Sequence, residues 1–290
     1  MSNRRTFIQQ AGLLATGLII NPSVFLMKEK VVGLQLYSLR EYIFKDVSGI
    51  IAKVAAAGYK DVETFGYDSK NQFFGASPKE FISLLKSKGL TSTSGHYNPN
   101  DFLNGKGTDD LKYMIEGANV LNQQHFVIPY LTEDMRKSAD DYKALAEKLN
   151  VAAELCKSSN LQLAYHNHDF EFKKWEGGII GFDILLKETD KSLVDFELDL
   201  YWVVRSGNDP IKLFTQSPGR FKLWHVKDMD KANNKINTEI GSGSIDFRKI
   251  FAKAKLAGLQ HVFMEQENFS MDPFESITKS NKYIKNVLLQ

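Results

Sequence analysis

Ser159-Asn160-Leu161-Gln162-Leu163-Ala164-Tyr165-His166-Asn167-His168 is the stretch from which the fold can be read. Asn160 tolerates the left-handed backbone that ends a helix, the run after it is short and apolar, and the histidines arrive only as that run ends. The same joint recurs at Ala57-Gly58-Tyr59, Lys88-Gly89-Leu90 and Ala257-Gly258-Leu259. Outward from these joints, eight strands are predicted: Val31–Tyr37, Lys60–Phe65, Leu90–His96, His125–Tyr130, Leu161–His168, Leu193–Asp199, Phe221–Lys227 and His261–Glu267. Their starts lie about thirty residues or a little more apart, which is room for one strand, one helix and two loops. Helix openings stand between them. Ser77-Pro78-Lys79-Glu80 combines an N-cap serine, a proline at the first helical position and a glutamate three residues on. Asp209-Pro210 and Asp272-Pro273 place proline in the same way.

Strand-helix alternation predicts a parallel sheet covered by helices, and eight such units without a linker predict one α/β domain, a (β/α)8 TIM barrel. A doubly wound sheet would carry a Gly-rich phosphate turn, but no G-x-G-x-x-G or P-loop follows any predicted strand, and Gly241-Ser242-Gly243-Ser244 reads as a loop. The composition agrees: 290 residues at 43% hydrophobic and 25% charged, with 20 Gly and 7 Pro, exclude a disordered, collagen-like or low-complexity chain. Cys156 is the single cysteine, so no internal disulfide supports the fold. The formal net charge is +2, and Arg4, Arg5, Lys28 and Lys30 against Glu29 place that excess at the N-terminus. The near-neutral remainder gives no electrostatic case for nucleic acid or an anionic membrane.

Residues 1–30 read as an export signal and linker, and residues 31–290 as the barrel. Arg4-Arg5 precede Thr6-Phe7-Ile8, Ala11 to Ile20 runs apolar without a charge, and Asn21-Pro22-Ser23 breaks the run. The paired arginines resemble the twin-arginine class, which exports folded proteins, and imply a periplasmic location with no membrane association after processing. An uncleaved anchor is the alternative, but about ten apolar residues span only about 15 Å of the roughly 30 Å of a bilayer core.

In a barrel, chemistry gathers at the C-terminal strand ends. His125 and His261 open their strands and are expected at the other end as structural or solvated groups. His96, His166, His168 and His225 close theirs. The acids of Asp195-Phe196-Glu197-Leu198-Asp199 share one face by period two, as do Glu265 and Glu267, and His225 and Lys227. Strands five to eight thus each bring two polar or ionisable groups to one mouth. Imidazole and carboxylate donors without thiolate suit a divalent metal with open positions (Mn, Mg, Co or Zn); an interior salt-bridge network is the plainer alternative. Trp202 and Trp224 are expected to pack toward helices, and Lys173 and Lys174 to be solvated.

Val32-Gly33-Leu34-Gln35-Leu36-Tyr37-Ser38-Leu39-Arg40, Tyr165-His166-Asn167-His168-Asp169-Phe170-Glu171-Phe172, Leu198-Asp199-Leu200-Tyr201-Trp202, Trp224-His225-Val226-Lys227-Asp228 and Met264-Glu265-Gln266-Glu267 resemble the xylose isomerase-like TIM barrels. That superfamily includes sugar isomerases, ketose epimerases, inosose dehydratase and sugar phosphate isomerase/epimerase homologues, and the resemblance covers the body from Val31 onward. It implies a metal set of Glu, Asp, His and Glu from strands five to eight, matched here by Asp199, His225 and Glu265. Strand five ends in His166 instead, as in the inosose dehydratase-like branch, so either His166 ligates or Glu171 reaches back; His166 is favoured.

The resemblance implies a metal-dependent sugar isomerase or epimerase that abstracts a proton next to the carbonyl of a neutral sugar or keto-sugar. His168 or His166 would be the base, Glu265 would also be catalytic, and Lys227 either donates to a substrate hydroxyl or leaving group or neutralises Glu197 or Glu267. Because imidazole replaces one of the two proton-shuttling carboxylates, a lyase or dehydratase acting on a keto-sugar or 3-keto-glycoside at the same metal is the second reading. A sugar-binding protein without turnover is the third. Gln35, Tyr37, Glu63, His96, Glu171, Trp175 and Glu267 are the expected substrate contacts, since sugars offer hydroxyl edges to polar groups and C–H faces to aromatic plates. Endonucleases acting at abasic sites are also similar, but their three-metal site is richer in histidine and the neutral body argues against DNA. Pairing into a homodimer is left open.

Overall fold

Eight short parallel strands close on themselves in the computed structural model, which describes residues 31–290. The expected export signal, residues 1–30, lies outside the described residues. In chain order the strands are β1 (Gly33–Gln35), β2 (Asp61–Phe65), β3 (Thr91–His96), β4 (His125–Ile128), β5 (Gln162–His166), β6 (Val194–Asp199), β7 (Leu223–Val226) and β8 (His261–Met264). Each pairs with its neighbours in sequence, and β1 completes the ring against β8, with Gly33 opposite Phe263 and Leu34 opposite Met264. This is the single (β/α)8 barrel that the strand-helix alternation predicts. The strands are shorter than the apolar runs, and the difference matters at the mouth: His168, Lys227, Glu265 and Glu267 stand beyond the last paired residues of their strands.

The local signals act where the sequence places them. Asn160 takes φ 58°, so the long helix Ala139–Ser158 turns directly into β5. Ser77 and Glu80 form a reciprocal capping box, and Asp209 and Asp272 accept backbone N–H bonds at their helix starts, each with proline next in the chain.

Side chains pointing out of the barrel pack under the helices. Trp224 is fully buried there and lies parallel to Phe214 with ring centroids 5.0 Å apart. Side chains pointing inward form layers. Val127, Ala164, Leu223 and Phe263 make a small apolar cluster inside the ring, and a Cβ on Gly33 would come within 2.3 Å of the Phe263 ring, so any larger residue there would force that ring to move. Below that layer His125 and His261 meet edge to face at 5.2 Å, and His125 is buried, not solvated.

After β7 the chain makes a small hairpin, Asp228–Met229 against Asn237–Thr238. The loop Gly241-Ser242-Gly243-Ser244 wraps the Asp228 carboxylate, which accepts N–H bonds from Met229 (2.8 Å), Gly241 (2.9 Å), Gly243 (3.0 Å) and Ile245 (3.2 Å). No helix among the described residues is long and apolar enough to cross a membrane.

Candidate active site

The inward side chains at the C-terminal strand ends form two layers around one imidazole, that of His225. In the lower layer its Nε2 lies 2.5 Å from Glu63 Oε2 and 3.2 Å from Glu197 Oε2, while His96 Nε2 lies 2.6 Å from Glu197 Oε2 and 3.3 Å from Glu63 Oε2. All four residues are buried. Burial opposes the charge on Glu197, but His225 and His96 outweigh it and hold the carboxyl well below the usual carboxylate range. Burial likewise opposes charge on His225, yet Glu197 and Glu63 raise its pKa well above the ordinary imidazole value. Contacts of 2.5 and 2.6 Å between nitrogen and oxygen are proton-bridged, which makes this layer a compensated charge network.

The upper layer differs. His166 Nε2 and Asp199 Oδ2 lie 3.6 Å apart, too far for a hydrogen bond, and both atoms are buried without a hydrogen-bond partner. An unsatisfied buried polar atom costs ~1–3 kcal/mol, and two such atoms facing each other call for a group that satisfies both. With His225 and Glu265 they form a set in which one donor atom from each residue lies within 4.8 Å of the others, and His225 Nδ1 is 3.1 Å from Glu265 Oε2. Two nitrogens and two carboxylates from β5 to the end of β8 fit a divalent ion with positions left for a substrate, an ion that would displace the proton His225 Nδ1 shares with Glu265. His166 Nδ1 lies 3.3 Å from the Pro129 carbonyl, so its proton belongs there and the Nε2 lone pair faces the site. Burial, then His225 and His96, push the His166 pKa well below the ordinary value and keep the ring in its neutral, ligating form. Asp199 is pushed up to about 6, by burial first, against the pull of Lys227 and His225. Its Oδ1 accepts the Trp202 N–H at 3.0 Å and caps the following helix Leu200–Arg205, which aims Oδ2 inward.

Glu171 does not join this set. Its carboxylate accepts from the Tyr165 hydroxyl at 2.7 Å and the His168 backbone N–H at 2.8 Å, fully buried beneath the turn that carries His168. Burial pushes its pKa from 4.5 up to about 7.

Above the two layers opens a cavity of about 510 Å³, with His96, His166, Lys227 and Glu265 among its lining residues. Tyr37, Phe65, Tyr130, His168, Trp202 and Glu267 also line it. The Lys227 ammonium is 3.3 Å from Glu265 and in close contact with Glu267, so of the two pairings considered for it, Glu267 is the one made. Burial works against its charge, but Glu265, Asp199 and Glu267 keep the pKa above the usual lysine range.

Tyr37, His96 and Glu267 therefore lie where substrate contact is expected, and four other expected contacts do not. Gln35 and Glu63 are sealed below the cavity, where Gln35 Nε2 donates to Glu63 at 2.8 Å and Gln35 Oε1 accepts the Tyr37 N–H. Glu171 lies under the β5 turn. Trp175 is half-buried against the helical core with the Lys173 ammonium 4.6 Å from its ring, away from the cavity. Trp202, expected to face the helices, supplies the aromatic wall instead. It sits in the short helix that leaves β6 without an intervening loop, 5.3 Å from the His168 ring and 5.2 Å from Lys227 Nζ. Tyr130 and Phe65 also went unread; each stands at or just past the end of its strand, the signal that would have found them.

Residues 51–287 match the xylose isomerase-like TIM barrel family. The chain belongs to that family. An inosose dehydratase of Clostridium perfringens is 26% identical over 265 residues, which cover 81% of this chain and 88% of the relative. The crystal structure of a sugar phosphate isomerase/epimerase from Parabacteroides distasonis superposes with a TM-score of 0.78 at 30% identity, covering 88% of this chain and 93% of the other. A D-allulose 3-epimerase from Methylomonas sp. shares the fold, with a TM-score of 0.68 at 14% identity over 88% of this chain and 97% of its own.

Two expected outcomes follow from the geometry. Asp199→Asn keeps the oxygen that caps the helix and loses the charge, so its divalent-metal affinity should fall by more than the about 10- to 100-fold that loss of an outer partner costs, with circular dichroism unchanged. Wild-type affinity in a competitive chelator titration would remove Asp199 from the ligand set. For Glu171, the folded carboxyl titrates at about 7 and the unfolded one at 4.5, so between these values the native chain holds the proton and stability falls as pH rises; above 7 the cost is fully present. Glu171→Gln abolishes this contribution. Its denaturant midpoint relative to wild type should therefore improve between about pH 5 and about pH 8, and a constant difference would contradict the assignment.

Proposed function

We propose that this protein is a divalent-metal-dependent lyase or dehydratase that removes a proton next to the carbonyl of a keto-sugar and expels the substituent on the adjoining carbon. The observation that carries this reading is the one-sidedness of the site. On the β5 side the groups at the cavity are imidazoles, His166 and His168, and the carboxylate of that segment, Glu171, is committed to Tyr165 and the His168 amide. Two-sided proton exchange wants a matched pair of acid-base groups, one on each face of the substrate, and imidazole opposite the Glu265 carboxylate is not a matched pair. The inosose dehydratase relative supports the same choice, and the family as a whole supports an enzyme acting on sugars.

A divalent ion held by His166, Asp199, His225 and Glu265 would supply the electrophile for the keto oxygen. His168 is kept neutral by burial and by the nearby His166 and Lys227, so it is in the form that accepts a proton. The C–H bond next to the carbonyl breaks toward His168 and a carbon–carbon double bond forms. The C–O bond at the adjoining carbon then breaks as the carbonyl re-forms and the double bond moves to join that carbon, and the departing oxygen takes a proton from Lys227, leaving an unsaturated keto-sugar and water or an alcohol. Tyr37, Phe65 and Trp202 offer aromatic faces to the ring C–H groups. Lys227 is the one lysine among the cavity-lining residues, there is no arginine, and Glu265 and Glu267 already balance it, so the site favours a neutral sugar over a phosphorylated one. A metal-dependent isomerase or epimerase is the second reading, favoured by the sugar phosphate isomerase/epimerase structure and by Glu265 as a carboxylate facing the same cavity.

Product NMR in heavy water separates the two. Loss of water or of an alcohol from a keto-sugar or 3-keto-glycoside is expected; deuterium in a product of unchanged formula would replace the lyase reading by the isomerase. In the same assay His168→Gln should lower turnover by about 10²- to 10⁴-fold with bound metal unchanged. We also propose, from Arg4-Arg5 and the apolar run after them, that the enzyme works in the periplasm. Cell fractionation that finds it only in the cytoplasm would overturn that.

A further inference from the structure

Glu63 sits at the third residue of β2, two residues before the strand ends, and is fully buried. Three donors from three strands hold it. His225 Nε2 approaches Oε2 at 2.5 Å, Gln35 Nε2 donates to the same oxygen at 2.8 Å, and Ser94 Oγ donates to Oε1 at 2.5 Å. A carboxylate so engaged and fully buried is out of reach of a substrate. The imidazole it holds has its other nitrogen, Nδ1, turned toward Glu265 in the upper layer. Glu197 also lies near His225 Nε2, at 3.2 Å, but its Oε2 is taken more closely by His96.

We propose that Glu63 is a positioning residue for His225: it accepts the Nε2 proton, and so leaves the Nδ1 lone pair facing the ion-holding set. This rests on the metal site of the proposed function. The chemistry is that of an outer carboxylate fixing which ring nitrogen carries hydrogen and strengthening the other as a donor. Without the carboxylate, the ring gains as much by giving its proton to Glu265 through Nδ1, which removes a lone pair from the ion and a carboxylate oxygen with it. Gln35 and Ser94, from β1 and β3, fix the carboxylate itself, so the orientation of a ligand on β7 is set from the opposite arc of the barrel.

The test uses the full barrel and Co²⁺ or Zn²⁺ as the probe. Glu63→Gln still accepts from His225 through its amide oxygen, and the Ser94 hydroxyl can reverse to accept from the amide nitrogen, so the fold is kept while the charge is lost. Co²⁺ titrated by its visible absorption should bind Glu63→Ala about 10- to 100-fold more weakly than wild type, with partial rescue in Glu63→Gln. If Glu63→Ala does not fold, the weakening in Glu63→Gln alone decides. Long-range ¹H–¹⁵N spectra give a second readout that a merely structural role would not move. In Zn²⁺-loaded wild type, and in metal-free protein at a pH high enough to leave one ring proton, that proton should reside on Nε2 of His225, and in Glu63→Ala it should divide between the nitrogens. Wild-type Co²⁺ affinity in every Glu63 variant that folds, or a proton on Nδ1 in Zn²⁺-loaded wild type or in metal-free wild type that carries a single ring proton, would overturn the proposal. Were wild type to bind no metal, the functional reading would fail, and the metal-free spectra would still decide the role of Glu63.

Discussion

A charged carboxylate cannot stand alone inside a closed barrel, and Glu197 is wholly buried there. The mouth is organised around compensating it. His96 and His225 lie nearly parallel at 5.1 Å and present their Nε2 atoms to Glu197 and Glu63, so two imidazoles and two carboxylates share protons at short range. That arrangement leaves His225 with a single free direction, upward. The ligand set above is therefore built on the network below and inherits its rigidity. Removing either imidazole would leave buried negative charge uncompensated, which costs more than the pair itself contributes.

The parallel sheet supplies the geometry. Inward side chains from adjacent strands fall into layers, and the apolar layer of Val127, Ala164, Leu223 and Phe263 separates the polar mouth from the polar floor around His125 and His261. Low polarizability beneath the mouth strengthens each interaction within it. It also explains why neighbouring groups on the same strands move in opposite directions. Glu197 is held charged by two imidazoles, whereas Asp195, toward the floor, is pushed up to about 6 by burial despite Lys222 and Arg220.

The fold was legible because its signals are local. Left-handed joints such as Asn160, capped helix starts such as Ser77 and proline placement need only a few residues of context. The four residues of the upper layer were legible for a related reason: each lies at or next to a strand end, and period two fixes which face it shows. Depth was not legible. Gln35 and Glu63 are on the correct face, but strands in a barrel are staggered against one another, so distance from a strand end in sequence does not give height above the floor. Side chains on connecting segments were the other failure. Trp175 and Trp202 both follow a catalytic-face strand, and only the three-dimensional path sends the first to the helical core and the second over the cavity. Glu171 was open to two readings until Tyr165 and the His168 amide claimed its oxygens.

Lys227 and Asp228 are consecutive, and they face opposite demands: the first enters the cavity, and the second gathers four backbone N–H groups from the connection that follows. The root of that connection is thereby cinched, and its tip, residues 231–235, is tied separately, the Asn234 carbonyl accepting the Tyr201 hydroxyl at 2.9 Å. A change at the tip reaches the ammonium one residue upstream of the knot only by way of Tyr201, whose ring lies 5.4 Å from Lys227 Nζ. A barrel with such a knot beside its chemistry can acquire new coverings for its mouth while the reacting groups stay where they are.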